Sequence, residues 1–187
     1  MSAPTDELIM QRSLDALPAP PACPAGCALE EAGAAAAEDL ARLLATAFAQ
    51  PWTPPRILTE FFHRPGWIAT LVLRRNGTIV GTASIEHEAA MGVNAYLRAV
   101  AVARAQRGRG LGGALVGAAL QAMRMRGYRR AFLFTEEASG AAIRLFLRAG
   151  FRPHWGTVDH ERRWRAVARR LELPLVAGPG SAERSLL

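Results

Sequence analysis

Lysine is absent from this chain: of its 187 residues, all 23 cationic side chains are arginine. Beside heavy use of Ala, Gly and Pro, that choice reads as coding bias in a GC-rich genome, so the formal charge of +7 is not by itself a sign of a nucleic-acid partner. Aromatics make up only 7% of the residues. Binders of the basic-patch kind interleave aromatics or present a basic helix face, so direct nucleic-acid binding is disfavoured. Cysteine occurs twice, as Cys23 and Cys27 in one Cys-Pro-Ala-Gly-Cys turn, too little for a disulfide framework. His63, His87, His154 and His160 show no ligand spacing to accompany that pair, and no metal site is expected. Two free thiols in a reducing compartment are the expectation, with a local bridge between them as the alternative. Long uncharged apolar runs are missing too, and Asp6 and Glu7 stand where a signal peptide would be basic. No membrane partner is expected, and the protein is placed in the cytoplasm.

Half of the residues are apolar, ample for one buried core in a chain of this length. The expected organisation is an N-terminal extension over residues 1–26, partly disordered, a single domain over 27–176 and a disordered tail over 177–187. The stretch from Tyr96 to Gly112 says most about function. Residues 95–102 are short, apolar and Val-rich, which predicts a strand covered on both faces. Residues 103–110 form a turn of Arg, Gln and Gly, and from Leu111 the period becomes helical, with Leu111, Leu115, Ala118, Ala122 and Met125 on one face. The glycines therefore sit at a helix N-terminus, where unpaired amides and the helix dipole favour phosphate oxygens. Gly108, Gly110 and Gly112 let the backbone approach an anion, and Arg107 and Arg109 add guanidinium forks.

Gly108-Arg-Gly110-Leu-Gly112-Gly113 satisfies the dinucleotide fingerprint G-x-G-x-x-G, with Glu136 at the end of the next strand. A nicotinamide or flavin oxidoreductase is therefore one alternative. Against it, Ala103 to Arg107 intervene between strand and first glycine, two arginines crowd the turn, and too little chain follows for the remaining strands. Arg107-Gly-Arg-Gly110-Leu-Gly112 after Val100-Ala101-Val102 instead resembles the GNAT superfamily of acyl-CoA-dependent N-acyltransferases, whose loop reads R/Q-x-x-G-x-G/A after a strand ending in Ala-Val. A second pattern of that family, N-x-x-A-x-x-L-Y-x-x-x-G-F, resembles Ser139-Gly-Ala-Ala142-Ile-Arg-Leu145-Phe146-Leu-Arg-Ala-Gly150-Phe151, with Ser for Asn and Phe for Tyr. The resemblance implies an α/β fold of the α+β kind, a central mixed, mostly antiparallel sheet with helices on both faces.

Elsewhere the signals are local. Leu8, Ile9 and Leu14 behind Thr5 predict a helix, ended by the Pro-rich run from Leu17. Cys27 to Glu31 reads as a strand and Ala34 to Ala49 as a helix with Leu40, Leu43, Leu44, Ala47 and Phe48 in a stripe. Pro55 to Phe62 restarts as a short helix. Trp52, Phe61, Phe62 and Trp67 are either packing or, by family resemblance, the wall of an acceptor site. Ile68–Leu73 and Thr78–Glu86 are strands joined at Asn76-Gly77, a strong hairpin signal. Arg130 to Phe134 is the next strand, and Ser139 starts the helix that Gly150 closes. After Phe151-Arg-Pro the chain departs from the usual ending of the family: Asp159 starts a helix to about Leu171, with Trp164, Val167 and Leu171 on one face and arginines around the other.

The resemblance implies direct acetyl transfer from acetyl-CoA to a primary amine of a small molecule or peptide. Val100, Ala101 and Val102 would meet the pantetheine arm, Arg107, Gly108, Arg109, Gly110, Leu111 and Gly112 the pyrophosphate, and Phe146 would pack beside the pantetheine end. Ser139 would either bond the pantetheine or only cap its helix. For the base, a carboxylate or His within hydrogen-bond reach is needed, and Glu86, His87, Glu88 and Glu136 are the candidates, with Glu86 and Glu136 preferred at strand ends. A second reading is an acyl-CoA-binding sensor without turnover, kept open by the missing Tyr at 146. The sequence leaves room for a homodimer.

Overall fold

The computed structural model describes residues 7–155 and 158–173. Seven strands form one sheet in the order β2-β3-β4-β5-β6-β1-β7, comprising β1 Glu7–Ser13, β2 Ala28–Glu31, β3 Trp67–Arg75, β4 Thr78–Glu86, β5 Asn94–Val102, β6 Arg130–Glu136 and β7 Arg152–Pro153. Every neighbouring pair is antiparallel except β5 with β6. That topology excludes the dinucleotide-binding alternative, which needs a parallel sheet of βαβ units.

The helix expected over the first residues is a strand, and it is not an appendage. β1 pairs with β6 through seven successive residues, from Glu7 opposite Glu136 to Ser13 opposite Arg130. Its burial alternates, with Leu8 and Met10 in the core, which is the strand period rather than the helix period. Thr5 and Asp6, like the tail from residue 174, lie outside the described residues.

Helices cover both faces. On one, α1 Ala37–Phe48 enters from a 3-10 turn, and α2 Pro54–Ile57 is capped by Thr53 and runs on as a π turn through Phe62. Leu40, Leu44, Ile57 and Phe61 pack there against Val72, Ile79 and Ala101. On the other, α3 Leu111–Met125, α4 Gly140–Arg148 and α5 Val158–Arg170 cover the larger core, which holds Leu8, Met10, Leu97 and Leu133. Of the expected α3 stripe Leu111, Leu115 and Ala122 are buried and Ala118 is half-buried, but Met125 is 79% exposed, and Ala119 and Met123, outside the stripe, are buried too. In a helix so rich in Ala and Gly no single apolar face stands out. In α5, Trp164 and Val167 are buried as expected.

The hairpin forms at Asn76 and Gly77, both with positive φ (50° and 78°), as a type I′ turn requires. The basic face of α5 is largely compensated, Arg162 by Asp159, Arg163 by Glu137 and Arg165 by Glu161.

Candidate active site

Three local features create the site. First, β5 is bulged: Thr82 faces Ala101 and Ser84 faces Arg98, so one extra residue sits on β5, and Ala99 takes φ 49°. The bulge swaps the alternation, so that Ala95 and Leu97 before it, but Val100 and Val102 after it, turn toward the α3 face. Second, β5 and β6 pair only at Asn94 to Tyr96 with Arg130 to Phe132, and then part. The backbone of β5 beyond Tyr96 has no ladder partner on that side, and its outer face is half open, not covered on both faces as expected. Third, Gly108 and Gly110 adopt φ 78° and 81° and turn the chain directly into α3, with Gly110 as N-cap. The first helical bond there runs from Ala114 N to Gly110 O at 3.1 Å, which leaves the amides of residues 111–113 pointing outward.

A cleft of 540 Å³ joins these features, lined by Val100, Ala101, Val102, Arg107, Gly108, Gly110, Leu111, Gly112 and Ser139 among others. The Arg107 Nε donates to the Val102 carbonyl at 3.1 Å, and Arg75 donates to Gln106 Oε1 at 3.0 Å, so the loop is tied to the sheet. Among the described residues neither Arg107 nor Arg109 has a carboxylate partner. Ser139 is the N-cap residue of α4 and lines the cleft, and its hydroxyl is not spent on a capping bond.

Two predicted cofactor residues are not among the side chains that line the cleft. Arg109 is exposed and does not line the cleft. Phe146 is 6% exposed and packs edge-on against Phe151 at 5.9 Å; one residue earlier, Leu145 turns to the cleft instead. Sequence reasoning missed Phe48 at the end of α1 and Ala141, Ala142 and Arg148 on α4 as lining residues. The α4 set was findable, since Ala141, Leu145 and Arg148 follow helical steps of four and three.

The two preferred carboxylates differ sharply. Neither lines the cleft, and Glu136 is exposed at the end of β6. Glu86 is 1% exposed and lies opposite Tyr96, where β5 leaves β6. Arg64 approaches one of its oxygens at 2.7 Å and Arg98 the other at 3.2 Å. Neither contact has hydrogen-bond alignment, and the carboxylate is charge-compensated by the two guanidiniums. Tyr96 stacks on Phe134 at 5.5 Å, and burial, then the charge of Glu88, raises its phenol above the ordinary value. His87 turns its Nδ1 to the Asn94 carbonyl at 2.9 Å, and Glu88 lies in the loop that follows β4. In the aromatic cluster Phe61 is buried, stacked on Trp67 at 4.3 Å and edge-on to Trp52 at 5.6 Å, while Trp52, Phe62 and Trp67 are half-buried. No group of metal-ligating side chains occurs among the described residues.

Residues 37–151 match the family model described as Acetyltransferase (GNAT) family. Among solved structures, a GCN5-related N-acetyltransferase from Sphaerobacter thermophilus is 28% identical with TM-score 0.66, over 80% of this chain and 48% of that one. The chain thus spans about half the length of that relative. A tandem GNAT protein from the clavulanic acid biosynthesis pathway superposes with TM-score 0.65 at 21% identity, over 80% of this chain and 50% of that one. The ribosomal-protein-S18-alanine N-acetyltransferase from Escherichia coli has TM-score 0.59 at 21% identity, over 67% of this chain and 77% of that one. At these last two identities the likeness is one of fold. No curated protein sequence matches the chain.

Proposed function

Since the chain belongs to the GNAT acetyltransferase family, its family model spanning more than half of the residues, we propose that it transfers the acetyl group of acetyl-CoA to a primary amine of a small molecule or peptide. The observation that carries this reading is the cleft where β5 and β6 part, which ends at arginine and glycine residues on the N-terminus of a fifteen-residue helix. A long ligand with a phosphate end and a hydrogen-bonding arm suits both ends of that cleft.

The amides of residues 108–113 and the Arg107 guanidinium bind the pyrophosphate. Backbone groups of β5 between Val100 and Val102, on the side that β6 has left, hold the pantetheine arm as an added strand would, and one amide faces the thioester oxygen. Ser139 donates its unspent hydroxyl to the same arm. The amine nitrogen bonds to the acetyl carbon as the carbon–sulfur bond breaks, and CoA leaves as thiolate. Glu86 takes the amine proton, as the preferred carboxylate that is buried beside the parting of the strands. Glu136, exposed at the rim, has no part in the chemistry.

The test is release of CoA thiol from acetyl-CoA against a panel of amines. Turnover with at least one acceptor, reduced by Glu86→Gln and not by Glu136→Gln, is expected. Tight CoA binding without turnover on any amine would instead favour an acyl-CoA sensor. That second reading has its own observation: the chain has two tyrosines, Tyr96 and Tyr128, and neither lines the cleft to protonate the departing sulfur.

A further inference from the structure

Strand alternation divides the side chains of β5, β6 and β1 between the two faces of the sheet. Ala95 and Leu97, Ala131 and Leu133, and Leu8 and Met10 point into the larger core, so Tyr96 and Arg98, Phe132 and Phe134, and Ile9 point to the other face. The strand residues buried under α1 and α2 on that face are Val72, Ile79 and Ala101. Tyr96, Phe132, Phe134 and Ile9 belong to neither core. They are half-buried and make an apolar floor where β5 leaves β6, with Tyr96 5.5 Å from Phe134 and 6.4 Å from Phe132, and Ile9 opposite Phe134.

Glu86 borders this floor, opposite Tyr96, and its two arginines bring more charge than it balances. Two guanidiniums against one carboxylate leave one positive charge over. Apart from Glu86, neither Arg64 nor Arg98 has a hydrogen-bond or ion-pair partner among the described residues. The five N–H donors of a guanidinium far exceed what one carboxylate oxygen accepts, so most of each fork is left for a ligand. Both side chains are also reachable, at 38% and 42% exposed. Glu7, Glu88 and Glu136, the other carboxylates around this face, pair with neither arginine.

A simple ammonium coming to Glu86 adds to that excess charge. An ammonium that brings its own carboxylate balances it: the carboxylate lies on the two guanidiniums, the ammonium on Glu86, and opposite charges alternate. A peptide N-terminus lacks the neighbouring carboxylate and leaves the excess standing. The floor, meanwhile, suits an apolar body of aromatic size. Resting on the transfer reading given above, we propose that the acceptor is a free α-amino acid with a large apolar side chain, its carboxylate on Arg98 and Arg64 and its side chain over Tyr96, Phe132, Phe134 and Ile9. Transfer then yields the N-acetyl amino acid and CoA.

Initial rates of CoA thiol release with phenylalanine, phenylalanine amide, phenethylamine and glycine test this. For phenylalanine, kcat/KM is expected to exceed each of the others by at least about tenfold. In Arg98→Gln its advantage over the amide should shrink to within about threefold, through a raised KM for phenylalanine, and in Phe134→Ser its advantage over glycine should shrink likewise. Phenylpropionate, which has the ring and the carboxylate but no amine, should bind the CoA-saturated full chain in calorimetry and lose that binding in Arg98→Gln, a readout that needs no proton transfer to Glu86. Where a thermal melt shows Arg98→Gln unfolded, the ranking of acceptors and the binding of phenylpropionate by the unaltered chain decide alone. Equal rates for phenylalanine and its amide, or a preference that survives Arg98→Gln, would overturn the amino-acid assignment and leave acetyl transfer standing. Transfer to none of a wide panel of amines would overturn both.

Discussion

Replacing Glu86 with Gln removes one charge and almost no volume from a side chain that is 1% exposed. It leaves Arg64 and Arg98 facing each other across a neutral amide. At 2.7 and 3.2 Å, each ion pair holds raw attraction of more than roughly 4 kcal/mol at the effective dielectric of a protein site. Most of that is offset by the cost of desolvating the carboxylate. Breaking a buried pair by removing one partner typically costs about 3–5 kcal/mol. The two arginine side chains are 38% and 42% exposed, so water screens them once the carboxylate is gone. The discounted expectation is about 2 kcal/mol, or roughly 4–8 °C in the melting temperature of a chain this long. Thermal melts followed by circular dichroism give the number. A cycle with Arg98→Met separates the pair from the rest, because Glu86→Gln should cost less in the Arg98→Met background. A shift under about 1 °C in Glu86→Gln, or strict additivity in the cycle, would refute the claim that a buried ionic cluster holds this end of the sheet.

Gly110→Val places a β-branched residue at φ 81°, with open space around the new Cβ, so the penalty is backbone strain of about 1–3 kcal/mol and a displaced loop. Calorimetry should show weakened CoA binding in a folded protein, and unchanged affinity would contradict the anion-loop assignment. Phe146→Tyr should leave the acetylation rate within about tenfold, roughly 1.4 kcal/mol of barrier, because the ring lies in the core. Phe146→Ala should cost about 3–5 kcal/mol of stability; a gain of several orders of magnitude in turnover from Phe146→Tyr would show that a general acid had been lost. His154 is held below its ordinary value of 6.5 by burial, then by the charges of His160 and Arg130. The unfolded chain therefore binds the proton more readily, so stability should fall as pH drops below about 6.5, and His154→Phe should flatten that dependence in melts across pH 5–8.

Legibility in the sequence followed the range of the interaction. The hairpin at Asn76-Gly77 and the Ser139 helix start are decided within a few residues, and the α5 stripe through Trp164 and Val167 within one helix; all appear where expected. β1 was misread because Leu8, Ile9 and Leu14 fit a helical stripe, and only pairing with β6, more than a hundred residues away, makes it a strand. The same limit explains Glu86. A carboxylate at a strand end could be flagged, but its partners Arg64 and Arg98 meet it only through the folded sheet. Motif position does not say which neighbour lines the cleft: Phe146, where the family pattern has Tyr, is buried, whereas Leu145 and Arg148 line it. The open outer face of β5 was hidden because the apolar run Ala-Val-Ala-Val reads the same whether covered by protein or left for a ligand.

The central claim is that CoA binds in the parting of β5 and β6. Amide hydrogen exchange with and without saturating CoA tests it residue by residue. Protection should rise across residues 98–102 and 107–113 and not along the β3–β4 hairpin around Asn76. No change in either segment, or protection confined to other elements, would contradict it.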